Sequence, residues 1–449
     1  MHSTLSRGDA VTEYCLVGQG RREIPFAVPE GWRVATYAEL EASSLDVSIP
    51  ELVKQAVQRP VGSAPLTELV KGKDHVAIVV DDLTRPTPRR PMLEALLDYL
   101  GEQGVADEQI DVVIGGGTHR LLTEAEIEGA FGDKLCRRLR IVNHDCRAAD
   151  LVSVGTLPLS GEVFINPLFM RADLRIAMGS ILPHPWNGFG GGAKLILPGV
   201  AGYDSIKRHH LGLITAPGVT FGNLSANPFH DEVYQAGRMA GLDFIVNAVY
   251  NANEDVKGIV AGDMEEAYRQ GADICRREIG VEFGEAADVT VTSAFPYCEA
   301  PQTMKPVGIA TLVTKKGGTV ILYADEILGG CYPESMLGAF GHALSLAAGD
   351  PKGLVMDFLS RGDLIAPDAP MDVNSAINTT LLYLSRVKVL LATKDADEAQ
   401  AARLGFTYAA GLDEALARVA RDVPRATVNI LPAGGLVLPL VADDMKFEY

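Results

Sequence analysis

Apolar residues fall in short runs that stop abruptly at polar, glycine- or proline-bearing loops. The runs 75–80, 110–114, 139–142, 174–178 and 244–249, and later 289–292, 319–323 and 387–392, are rich in Val, Ile and Leu. They are too short for helices, and their near-continuous apolarity predicts strands buried on both faces. Between them, amphipathic stretches predict helices over 49–58, 91–104, 227–241 and 264–279, with others over 333–348, 351–359, 375–385, 396–404 and 412–419. Thr123 and Glu126 form a capping pattern that opens another. Strand and helix alternate, so the chain reads as α/β with largely parallel sheets.

Length divides this pattern. At 449 residues the chain exceeds one ordinary core. The glycine-bearing, charged segment 280–288 reads as a hinge between two α/β domains, 1–282 and 283–425, with an active-site cleft between them. Candidate strands at 427–431 and 436–441 leave 426–449 as a tail that could return to the first domain. The first 33 residues read as irregular chain with short strands.

The loops after the strands carry the chemistry. Strand 75–80 runs into Asp81-Asp82-Leu83-Thr84-Arg85-Pro86, strand 110–114 into Gly115-Gly116-Gly117-Thr118-His119-Arg120, and strand 174–178 into the segment 179–210, which holds seven glycines, three histidines and two lysines. Ligands of open parallel sheets bind beyond the carboxyl ends of the strands, so Arg85, His119 and His184 are expected to face one crevice. Gly188 to Gly192 read as a cradle for a phosphate or a flat cofactor, with Lys194 at its edge. A P-loop does not fit, because Leu195 stands where a hydroxyl should hold magnesium. A dinucleotide fingerprint does not fit either, because Pro198 and Gly199 interrupt the helix it needs. Taken singly, each motif is also compatible with a cap, a turn or a solvated side chain.

Charge narrows the partners. Forty basic against 58 acidic residues leave a formal charge of −18, which opposes extended contact with nucleic acid or an anionic membrane. Six cysteines without Cys-x-x-Cys spacing suggest neither a zinc knuckle nor a disulfide framework. With no export signal and no long apolar span in the sequence, a soluble, cytoplasmic protein is expected.

The motif set Asp82-Leu83-Thr84-Arg85-Pro86, Gly117-Thr118-His119-Arg120, 184–194 with its Gly-Phe-Gly-Gly-Gly, 197–202, His210, and Gln302 with Lys305 resembles the nickel-dependent lactate racemase family, in chain order and over most of the sequence. The resemblance implies a racemase or epimerase of 2-hydroxy acids with a nickel-pincer nucleotide, a pyridinium mononucleotide whose two sulfur substituents bind nickel. It implies that Lys194 carries this cofactor through a thioamide, that His210 completes the nickel coordination, and that Asp82, Leu83, Thr84 and Arg85 hold the cofactor. His119 and His184 would be the acid–base pair, and Gln302 and Lys305 would bind an anionic 2-hydroxy acid from the second domain. Cofactor-maturation proteins would be partners.

The chemistry is consistent with that assignment. Direct deprotonation beside an ionised carboxylate gives a poor carbanion, whereas oxidation to a 2-oxo acid and reduction on the other face avoids it. Imidazoles can move the hydroxyl proton near neutrality. The segment before Gln302, with Tyr297, Cys298, Glu299 and Pro301, departs from a dedicated lactate enzyme, so larger acids, including sugar acids, are candidates. His209 reads as exposed surface beside His210, His144 and His230 as structural, and Trp186 as either a pocket wall or a packing residue. A 2-hydroxy acid oxidoreductase, with or without a nicotinamide cofactor, and a metal hydrolase built on His119, His184 and His210 remain alternatives, as does a non-catalytic cofactor carrier.

Overall fold

The computed structural model describes residues 13–41 and 43–441; residues 1–12, where an export signal would lie, and the end of the expected tail, 442–449, fall outside the described residues. Two six-stranded sheets dominate. The first uses β2 (Val76–Asp81), β3 (Ile110–Gly115), β4 (Arg140–Asn143), β5 (Leu174–Ile181), β6 (Phe244–Tyr250) and β7 (Val256–Gly262), in the order β7-β6-β5-β2-β3-β4. All neighbours are parallel except β7, which pairs antiparallel with β6. The second sheet uses β1 (Trp32–Tyr37), β9 (Ala287–Ser293), β10 (Thr314–Tyr323), β11 (Lys388–Ala392), β12 (Thr407–Ala409) and β13 (Ala426–Leu431). Its order is β12-β11-β10-β9-β13-β1, parallel throughout.

Period-two alternation decides which core each side chain joins. On β2, Val76, Ile78 and Val80 pack with Leu93, Leu96 and Leu100 of helix α1 (Arg89–Glu102), while Ala77 and Val79 pack on the other face with Phe169 and Leu195. Strand order then places the ligand crevice. From β2 the chain moves outward to β3 and β4, and then returns to β5 on the opposite side of β2. The loops after β2 and β5 therefore diverge and open a gap at their carboxyl ends. A second reversal lies between β9 and β13.

Long-range packing ties the two halves of the chain together at three points. Among the described residues of the first 33, the expected short strands are Glu13–Val17 and Glu23–Ala27, which form a hairpin, and β1 joins the second sheet beside β13. Leu16, Phe26 and Trp32 pack with Val289 and Val291, so this part of 1–282 belongs structurally with the second sheet. Within the expected tail, β13 lies between β9 and β1 in the second sheet, while Val437 and Leu438 pack into the core beneath the first sheet with Ala77 and Val79. The segment read as a hinge contains β8 (Gly280–Phe283), paired in parallel with β14 (Leu438–Val441). Its partner is far away in sequence, so nothing local marks it as a strand. Among the described residues, no helix is long and apolar enough to cross a membrane.

Candidate active site

The loop after β2 is held from behind by Arg89, the first residue of α1. Its guanidinium is buried and donates to four carbonyls: Asp81 at 2.8 Å, Thr87 at 3.2 Å, Arg85 at 2.7 Å, and Asp82. Nε also lies 3.3 Å from Asp81 Oδ1, an ion pair rather than a hydrogen bond. Burial raises the Asp81 carboxyl to about 6, against the lowering effects of Arg89 and Thr87. This clamp presents Asp82 and Arg85 to a cleft whose walls also include Gly116, His119, His184 and Lys194. Leu83 and Thr84 are exposed and do not line it, although Thr84 supports Asp82 by donating through Oγ1 and N to Oδ1 at 2.5 and 3.1 Å.

Asp82 has a second partner. His119, carried by the loop after β3, lies with Nδ1 2.6 Å from Asp82 Oδ2. Burial by itself would raise the Asp82 carboxyl, but the His119 hydrogen bond, the charges of His119 and Arg85, and the Thr84 bond hold it below the usual range. A carboxylate only accepts, so the proton of this contact belongs to His119 Nδ1 and leaves Nε2 bare. The loop is pinned from beneath by Gly117 N donating to Gly199 O at 2.9 Å.

His184 is held in the opposite form. Its Nδ1 accepts from the backbone N–H groups of Trp186 and Asn187, both at 3.2 Å, so the neutral ring carries its proton on Nε2. Burial, followed by the cations Lys194, Arg85 and Lys305, keeps this ring neutral well below the ordinary histidine range. The next glycines divide the work expected of the cradle. Gly190 and Gly191 line the cleft, whereas Gly188 and Gly192 do not. Gly191 has φ +76, and a Cβ there would sit 2.9 Å from the Ser180 carbonyl oxygen.

Lys194 follows in a short 3-10 turn and faces the same cleft. Burial, with help from Arg85 and against Asp82, lowers its amine to about 7, so a large neutral fraction exists at physiological pH. His210 projects from helix α2 (Tyr203–Leu213) and packs edge-on against Trp186, 5.6 Å between ring centres. Its Nδ1 donates to Ile206 O at 3.1 Å, leaving Nε2 as the available donor atom for a metal. His209 is not exposed surface. It is fully buried, its Nε2 lies 3.2 Å from Phe229 O, and its ring packs 4.2 Å from Phe229. Helical geometry turns consecutive residues about 100° apart, and here both faces are covered.

His144 is structural as expected, bonded to Ala201 O and Asn166. His230 stacks on Tyr268. Trp186 serves both readings: it lines the cleft and packs on His184, His210 and Phe229.

The second sheet supplies the facing wall. Gln302 and Lys305 follow β9 and line the cleft; Lys305 begins helix α3 (Lys305–Leu312), and its Nζ lies 4.9 Å from the centre of the Tyr297 ring. Burial, then Arg85 and Lys194, push the Lys305 amine well below its ordinary value despite Glu299 and Asp82. Sequence reasoning missed a further contributor. Helix α4 (Met371–Leu384) starts four residues before its expected limit and presents Met371, Asp372, Ser375, Ala376, Thr379 and Tyr383 to the cleft. The helical spacing of these positions was legible, but nothing in a polar helix stripe says that it faces a cleft rather than solvent. Arg89 gave no sequence signal at all.

Among the described residues, no three His, Cys, Asp or Glu side chains converge closely enough to hold a metal. The alternative of a protein-only site on His119, His184 and His210 therefore lacks its ligand set. One imidazole nitrogen beside a neutral-prone lysine suits a group that brings most of its own metal ligands.

Comparison with known proteins places these features in a family. Residues 19–222 match the lactate racemase N-terminal domain. The chain is 31% identical over 432 residues to a lactate racemase from Thermoanaerobacterium thermosaccharolyticum, covering 93% of this chain and 97% of that protein. It is 34% identical over 284 residues to a lactate racemase from Lactiplantibacillus plantarum, covering 62% of this chain and 66% of that one. The structure of the lactate racemase apoprotein from T. thermosaccharolyticum superposes with a TM-score of 0.85 at 28% identity, covering 96% of this chain and all of that one. A Thermotoga maritima protein shares the fold, with a TM-score of 0.59 at 17% identity over 90% of this chain and all of that one.

Proposed function

Because the chain belongs to the lactate racemase family, we propose that it inverts C2 of a small 2-hydroxy acid using a nickel-pincer nucleotide carried on Lys194. The observation that carries this reading is the convergence of Lys194, His210, His119 and His184 on one cleft. The residues fit the group. Lys194 has a neutral amine available for covalent attachment, His210 has a free Nε2 for nickel, and Gly190 and Gly191 allow a flat ring to approach the backbone. When bound, the cofactor supplies reversible uptake of hydride at C2.

The chain's own residues do the rest. Arg85 and Lys305 neutralise the substrate carboxylate, and Gln302 orients it from the second sheet. His119, with Nε2 bare and Asp82 behind it, takes the hydroxyl proton as the substrate is oxidised to the 2-oxo acid; the charge that develops on its ring is stabilised by Asp82. With the planar 2-oxo acid turned in the cleft to present its other face, His184 would supply the proton to the oxygen as the acid is reduced. To supply and regain that proton, His184 must pass through an imidazolium with hydrogen on both nitrogens. This displaces the Trp186 and Asn187 amides from Nδ1. The anionic substrate assists by offsetting Lys194, Arg85 and Lys305, the cations that help hold the ring neutral. In the reverse direction the two histidines exchange roles.

The test uses full-length protein co-produced with cofactor-making proteins and supplied with each enantiomer of lactate in D2O. Inversion with the original hydrogen retained at C2 is expected. Inversion with deuterium entering at C2 would show direct deprotonation and overturn the hydride reading.

A further inference from the structure

The Lys305 ammonium makes no hydrogen bond or ion pair with another described residue. Burial, Arg85 and Lys194 oppose its charge, while Glu299 and Asp82 favour it without touching it. The group that faces it is a ring, with Nζ 4.9 Å from the centre of Tyr297. Burial raises the Tyr297 phenol, so at neutral pH this ring is uncharged and acts through the negative face of its π system. Such a face attracts an ammonium far more than a neutral amine. It also leaves the directed N–H donors free, whereas a protein carboxylate in the same place would consume them.

The ring is fixed by parts of the chain remote in sequence. Tyr297 lies in the loop between β9 and α3, where its N donates to Ala294 O at 2.9 Å and its O accepts from Gln19 Nε2 at 3.0 Å. Gln19 sits in the turn of the N-terminal hairpin. Gly435, after β13, lies so close to the ring that a Cβ there would meet Tyr297 Cε2 at 2.6 Å. Lys305 lines the cleft and Tyr297 does not, so the ring stands behind the lysine.

We propose that Tyr297 is a positioning residue for substrate capture: its ring face holds Lys305 as an ammonium at the cleft wall, with the N–H donors free for a carboxylate. The inference rests on the racemase reading above, in which Lys305 binds the substrate carboxylate, and it assigns the group that prepares that lysine. The charged and titratable groups around Lys305 are Arg85 and Asp82 from the loop after β2, Lys194, neutral His184, and Glu299. Helix α4 adds Asp372 and Tyr383 to the same cleft.

Trace acetylation of Lys305 in the unloaded protein, followed by peptide mass over a pH series, reads the charge directly, because only the neutral amine reacts. A change in access alters the plateau and leaves the midpoint in place. Tyr297→Leu should move the midpoint down by roughly 0.4–1.5 pH units, and Tyr297→Phe, which keeps the ring face, should stay near wild type. In cofactor-loaded protein, Tyr297→Leu should raise KM for lactate by roughly 2- to 30-fold with kcat little changed, and Tyr297→Phe should restore it. This KM penalty should grow with pH, because the variant's lysine loses its proton first. Gln19→Ala should raise KM by a smaller factor. If Tyr297 serves packing alone, its Leu variant loses thermal stability with the acetylation midpoint and the KM unmoved, and the inference fails. A Phe variant as impaired as the Leu variant overturns it too. Loaded wild type that inverts neither enantiomer of lactate removes the racemase reading, while the acetylation series still decides whether Tyr297 holds the Lys305 charge.

Discussion

Asp82 Oδ2 and His119 Nδ1 meet at 2.6 Å across the carboxyl ends of β2 and β3, and this contact fixes which nitrogen of His119 is basic. An aspartate can only accept here, so the lone pair stays on Nε2. Asp82→Asn can donate to Nδ1 instead and move the proton to Nε2. The variant should fold and carry cofactor, with kcat reduced by roughly 10²- to 10⁴-fold. Combining it with His119→Ala should cost little beyond His119→Ala alone, since the two residues act as a unit. Steady-state racemisation of the two single variants and the double variant checks this; near-normal turnover by Asp82→Asn would remove Asp82 from the proton path.

Arg89 is the residue on which that geometry depends. Its donation to the carbonyls of Asp81, Asp82, Arg85 and Thr87 holds the whole loop, and its charge offsets buried Asp81. Arg89→Met leaves those groups unpaired and should destabilise the unloaded protein by about 3–5 kcal/mol. Urea unfolding followed by tryptophan fluorescence measures the loss. An unchanged midpoint would mean that the loop holds itself.

Lys194 gives a pH dependence with a definite sign. Its amine titrates near 7 in the folded chain, against an ordinary value of 10.5, so between those pH values the unfolded chain binds the extra proton and stability rises with pH. The burden of burying the charged amine is greatest below pH 7. Lys194→Met should therefore stabilise the unloaded protein most at pH 6, with the advantage over wild type shrinking as pH rises toward 9. Thermal melts of the two proteins across that range test it, and a difference independent of pH would place the amine in water.

Two glycines of positive φ differ in what a side chain would cost, because Gly191, with ψ −168, lies in a region essentially reserved for glycine and is also crowded. Gly191 and Gly72 have φ of +76 and +69, but a Cβ at Gly191 meets the Ser180 carbonyl oxygen at 2.9 Å while one at Gly72 meets nothing within 4 Å. Gly72→Ala should cost about 1 kcal/mol, the conformational part alone. Gly191→Ala should cost more, about 2–4 kcal/mol, and should also displace Lys194 three residues on. Chemical denaturation gives the first comparison, and the rate of Lys194 modification by an amine reagent gives the second.

The sequence exposed the half of the site that hangs directly from strands. His119, Arg85 and His184 each lie within a few residues of an apolar run, so parallel-sheet topology alone brings their loops together. The other half depends on long-range packing. β1 and β13 find each other across almost the whole chain, β8 pairs with β14 rather than acting as a free hinge, and α4 turns its polar stripe inward. No local pattern distinguishes those outcomes from solvent exposure. His209 shows the same limit within one helix, where a histidine next to a cleft residue proves to be fully buried against Phe229. Asp82 was legible as a site residue, but only the fold shows that its partner is His119.

The central claim is that Lys194 carries a nickel-bearing nucleotide. Intact-protein mass with nickel analysis tests it most directly, on wild type and Lys194→Ala, each co-produced with cofactor-making proteins. Wild type should show an added mass matching the pincer nucleotide, with nickel bound in proportion, and Lys194→Ala should show neither. An unmodified wild-type mass, obtained in a host where a known lactate racemase acquires the adduct, would contradict the account.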